Sequence, residues 1–88
     1  MRFEPLPTTV PNMRIWMAAS HGYSFCISEE LETGDPEWSG FNASWKNART
    51  DMRPGKKMAN MIDGGPWKRF AEAERACEAT LKQLRQKQ

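Results

Sequence analysis

The stretch Trp67-Lys68-Arg69-Phe70-Ala71-Glu72-Ala73-Glu74-Arg75-Ala76-Cys77-Glu78-Ala79-Thr80-Leu81-Lys82-Gln83-Leu84-Arg85-Gln86-Lys87-Gln88 decides the fold. Phe70, Ala73, Cys77, Leu81 and Leu84 recur three or four places apart, with charged residues between them. At 3.6 residues per turn that spacing gathers the apolar side chains on one face, which predicts a single amphipathic helix. Its start lacks a Ser, Thr, Asp or Asn cap. Glu72 and Glu74 near the first turn and Lys82, Arg85 and Lys87 in the last nevertheless suit the helix dipole. Ala71, Ala73, Ala76 and Ala79 keep the helix narrow, so its backbone is expected to lie close over large side chains beneath.

Upstream of the helix the period changes from 3.6 to 2. Gly64-Gly65-Pro66 reads as a strand-to-helix turn, and residues 58–63 as a short fourth strand. Residues 40–46 alternate, placing Phe41, Ala43 and Trp45 on a covered face and Asn42, Ser44 and Lys46 toward solvent. Residues 23–28 alternate as cleanly, with Tyr23, Phe25 and Ile27 inward. Residues 13–19 form the preceding strand, joined to the next by the turn Ser20-His21-Gly22. Its alternation sets Met13, Ile15 and Met17 on one face and Arg14 and Trp16 on the other, assigned here to the side the helix leaves open. Residues 1–12, with Pro5, Pro7 and Pro11, read as a loosely held arm.

The expected architecture is therefore one α+β domain over residues 13–88. It has a three- or four-stranded antiparallel sheet in β-β-β-(β)-α order, with the C-terminal helix packed on one face. Phe70, Ala73, Cys77, Leu81 and Leu84 are expected to meet Phe25, Ile27, Phe41 and Trp45. This element order is similar to the helix-capped meanders in parts of double-stranded-RNA-binding domains and in the DNA-binding arms of some integrases. The chain carries no residue motif of either family and lacks the leading helix of the former.

Size and composition narrow the function classes. The 88 residues fit one domain with a thin core, a poor host for a roomy catalytic cleft. Mean hydropathy is -0.78, but four Trp, four Phe and one Tyr supply enough apolar surface to fold. Apolar runs fall far short of the roughly 20 residues of a membrane span. Cys26 and Cys77 sit inside predicted elements, and the N-terminus has no signal-peptide pattern, so both are read as reduced thiols in a cytoplasmic protein.

No constellation of catalytic residues emerges. His21, Cys26 and Cys77 lack the paired spacing of a zinc site, and Cys77 falls on the helix face expected to be buried, unlike a nucleophile. Gly64-Gly65-Pro66 lacks the longer glycine pattern and Lys-Ser/Thr pair of a phosphate loop. The chain is accordingly read as a non-enzyme with neither metal nor cofactor.

Charge is lopsided: residues 1–45 carry a net -4 and residues 46–88 a net +6. Two kinds of binding remain. The favoured one is a small protein-interaction module, an accessory or inhibitor protein of bacterial or phage type. It would contact another protein or a second copy of itself through the open sheet face or an edge, using Arg14, Trp16 and Trp38. The alternative is nucleic-acid binding by the basic residues Lys46, Arg49, Arg53, Lys56, Lys57, Lys68 and Arg69, because affinity for phosphates comes from clustered cations. The acidic loop over residues 29–37 could fold beside that strip and neutralise it.

Overall fold

Two consecutive residues with positive φ, His21 at 55° and Gly22 at 83°, set the register of the long hairpin they join. Such a pair makes a two-residue hairpin loop, whose twist matches that of the strands it joins. The computed structural model describes residues 1–7, 13–30, 40–47 and 59–86. Within them β1 (Glu4–Leu6), β2 (Met13–Ser20), β3 (Tyr23–Glu30), β4 (Gly40–Asn47) and β5 (Asn60–Met61) precede α1 (Phe70–Gln86). The strands form one antiparallel sheet in sequential order, and the helix packs on one face of it. This is the expected α+β arrangement, with five strands in place of three or four.

The additional strand comes from the segment read as an arm. Glu4, Pro5 and Leu6 pair with Met17, Trp16 and Ile15. Pro5 is tolerated because β1 is an edge strand, where a missing N–H costs no ladder bond on the outer side. At the opposite edge β4 pairs with β5 and, further along, with the chain entering the helix. Ile62 N donates to Ala43 O at 3.0 Å, and Phe41 and Trp67 exchange two backbone hydrogen bonds of 2.8 Å. Trp67 folds back over Gly64 and Gly65, where a Cβ at Gly65 would stand 3.0 Å from the indole.

Phe25, Ile27, Ala43, Ala73 and Cys77 are sealed from solvent, and Tyr23 and Leu81 nearly so. Phe41, Trp45, Phe70 and Leu84 pack half-buried around them, so the predicted pairing of helix stripe and sheet face holds. Each large side chain removed from water there contributes on the order of 1.5–3 kcal/mol.

One assignment is overturned. Trp16 lies opposite Ile27 and Ala18 opposite Phe25, so both face the helix together with Arg14. Trp16 stands 4.9 Å from the Phe70 ring and 6.0 Å from Phe41, while Phe3 reaches Phe70 at 5.9 Å. The first residue of the helix is thus wedged among three aromatic rings. The error is a register slip of one residue. A three-residue turn at Ser20-His21-Gly22 places Ala19 opposite Tyr23, whereas the actual two-residue loop places Ser20 there. Because side chains alternate with period two, that single step moves every residue of β2 to the other face.

Candidate interaction face

The corrected register defines what the open side of the sheet presents. Two rows run across the strands. Glu4, Met17, Cys26, Ser44 and Met61 form one row, and Leu6, Ile15, Ser28 and Asn42 the other. Directly opposed residues in such a row have Cβ atoms about 4.5–5.5 Å apart, so each row is a continuous surface. Leu6 is 41% exposed, Met17 36% and Met61 65%, and Ile15 beside them is half-buried. Among the described residues these three are the exposed large apolar side chains.

The face is uneven. Bulky residues stand on β1 and β2, while Ser24, Cys26, Ser28, Asn42 and Ser44 on β3 and β4 are small or polar. A hollow of about 270 Å³ opens over the small half, lined among others by Met17, Ser24, Cys26, Ser44, Lys46 and Ala59. Glu4 marks the bulky margin and Lys46 the hollow one. A second depression, about 370 Å³, runs along α1 past Glu78, Lys82 and Arg85; its described lining belongs to that helix alone, so it is a helix flank.

The candidates from sequence scatter around this face. Arg14 lies on the helix side, exposed at its tip, with its Nε 3.3 Å from Glu29 Oε1 across the β2–β3 ladder. Trp16 belongs to the aromatic wedge. Trp38 lies outside the described residues, as do Arg49, Arg53, Lys56 and Lys57 and most of the acidic loop. Of the basic set, Lys46, Lys68 and Arg69 are described, and they do not gather. Lys46 is on the open face near one end of β4, whereas Lys68 and Arg69 follow Trp67, which is bridged to Phe41 at the other end. Five residues of strand separate Phe41 from Lys46, about 17 Å at ~3.4 Å per residue.

Met17, Ile15, Leu6 and Met61 are the residues that sequence reasoning missed. The signal was the His21-Gly22 pair, whose two-residue loop turns Ile15 and Met17 outward.

The two thiols occupy opposite layers. Cys26 lies on the open face, and burial raises its pKa, partly offset by the charge of Lys46. Cys77 lies between helix and sheet, where burial, with smaller repulsion from Cys26, Glu78 and Glu74, pushes it up to about 12. Neither is the activated, electropositive thiol that nucleophilic chemistry needs. Among the described residues no three His, Cys, Asp or Glu side chains gather as a metal site, and no helix is long and apolar enough to cross a membrane. A scan against protein-family models and comparisons with curated proteins and with solved structures match this chain to none of them.

Proposed function

We propose that the chain is a small non-catalytic protein-interaction module, of the accessory or inhibitor kind, that binds a protein through the open face of its sheet. The observation that supports this reading is the uncovered strip of Leu6, Ile15 and Met17 beside a hollow of small side chains. A helix buries one side of a sheet; a folded domain that leaves apolar side chains on the other presents surface that gains free energy when a partner covers it. The strip also carries few charges at its centre, as interface cores do. The sheet edges are poorer candidates. β1 has three residues including Pro5, and β5 has two, which leaves little unpaired ladder for strand addition.

The test immobilises the wild-type chain and a Met17→Glu variant and compares the proteins each retains from lysate, with and without nuclease. The expected outcome is a protein retained by the wild type in both conditions and lost with Met17→Glu. Identical retention by the two forms would refute the face as the binding surface. Retention abolished by nuclease would move the function to nucleic acid.

A further inference from the structure

We infer that residues 1–6 are a strap that fills, within the chain, a groove able to take an extended segment of another protein with an aromatic residue in the place of Phe3. The groove runs along the outer edge of β2 and is a surface additional to the open face proposed above. Hydrogen-bond parity shows what that edge offers, because successive residues of an antiparallel strand turn their N–H and C=O groups to alternate neighbours. On β4, Phe41 and Ala43 bond outward, to Trp67 and Ile62. Asn42 and Ser44 therefore bond inward to Ser28 and Cys26, which leaves Phe25 and Ile27 to bond Ala18 and Trp16 on β2. Met13, Ile15, Met17 and Ala19 then turn their backbone groups to the outer edge.

β1 engages part of that row. Its three residues lie opposite Ile15, Trp16 and Met17, so its ladder takes the backbone groups of Ile15 and Met17, two of the four. Pro5 falls opposite Trp16, where its missing N–H points away from β2. All three side chains of β1 are exposed, and among the described elements β2 is the one it packs against. The firmer hold lies ahead of the strand. One step along the same register Phe3 falls beside the small Ala18, and its ring meets Phe70 edge-on at 5.9 Å, with Trp16 at 4.9 Å on the same ring. Beyond it the Met1 nitrogen stands 3.2 Å from Glu78 Oε1.

A three-residue ladder with a proline at its centre and one aromatic anchor is a local unit that opens before the domain unfolds. Once it opens, β2 presents an edge of eight residues beside an aromatic slot. A proline-free segment of that length would bond all four outward residues and seat its own ring at the slot, the geometry of strand addition. The strap competes through its tether, since a short linker gives an effective concentration on the order of millimolar. The apparent affinity for a free segment is reduced by the fraction of time the groove is open.

Amide exchange of the full chain, followed by nuclear magnetic resonance, reads the opening directly. The amides of Ile15 and Met17, bonded to β1, should exchange at least about tenfold faster than those of Trp16 and Ala18, bonded to β3, after correction for intrinsic rates. Phe3→Ala should speed the first pair further and leave the second unchanged. A peptide of residues 1–7, labelled at its C-terminus, should bind the Phe3→Ala chain at least about tenfold more tightly than the wild type in fluorescence anisotropy. Bound there, it should slow the Ile15 and Met17 amides again, and the same peptide carrying Phe3→Ala should not bind. Equal exchange of all four amides, equal peptide affinity in the two chains, or a bound peptide that leaves Ile15 and Met17 unprotected would each overturn the inference. Retention of a protein by the open face is read separately with Met17→Glu, so either reading can fail while the other stands.

Discussion

Cys77 shows how completely one side chain can be defined by its surroundings. It is fully buried in the core cluster that also holds Phe25, Ile27 and Ala73, while Cys26 on the other face stays partly accessible. Alkylation of the native protein should therefore modify Cys26 first, and Cys77 only as the chain unfolds; peptide mass spectrometry over time reads both rates, and equal rates would contradict the burial. The thiol also links stability to alkaline pH. Its folded pKa, about 12, lies above the ordinary 9.0, so the folded state favours the neutral form. That contribution is complete below pH 9 and is lost as pH rises toward 12, because the unfolded chain ionises first. Urea midpoints should fall across this window more steeply for wild type than for Cys77→Ala. Trp16 is the other residue whose role its surroundings define. Trp16→Ala should cost about 2–4 kcal/mol, somewhat below the range for a fully buried tryptophan, and an unchanged denaturation midpoint would remove Trp16 from the core.

At the scale of elements, the hairpin loop, the helix start and the helix stripe each carry a separable energy. Gly22 has open space around its Cα, so Gly22→Ala meets no clash and pays only for positive φ, about 1–2 kcal/mol. A larger loss with altered strand signals would mean the register itself had slipped. The helix begins without a capping side chain: Arg69 O accepts from Glu72 N and Ala73 N at 3.1 and 3.4 Å, which puts Arg69 at the N-cap position. Arg69→Asp would supply both a cap and a favourable charge at the positive end of the dipole, raising stability by about 1 kcal/mol in thermal unfolding. Leu81 tests the stripe. It is 6% exposed, and Leu81→Ala should cost about 2–5 kcal/mol in chemical denaturation.

For the whole molecule, the separation of Lys46 from Lys68 and Arg69 predicts weak nucleic-acid binding. Gel shifts at physiological ionic strength should find no sub-micromolar complex with DNA or RNA, and a tight complex losing affinity with a slope near 0.9 per neutralised phosphate would reverse that expectation. The amphipathic helix, the alternation of β3 and β4 and the part of the core they share were legible in the chain, because periodicity is a local property that burial imposes on neighbouring residues. Phe25, Ile27, Ala73, Cys77 and Leu81 lie where their spacing put them. Which face of β2 turns inward was not legible from alternation alone: Met13, Ile15 and Met17 look as core-like as Trp16 and Ala18. It depends on the loop that pairs Ser20 with Tyr23 and on the gap beside Phe70 that an indole fills. The strand at residues 4–6 was hidden for a similar reason, since a proline-bearing segment becomes a strand only when a partner edge offers hydrogen bonds. Sequence by itself determined the class of fold and the buried stripe; tertiary structure decided which surface was left outside, because exposure is a relation between elements and one residue of register inverts it.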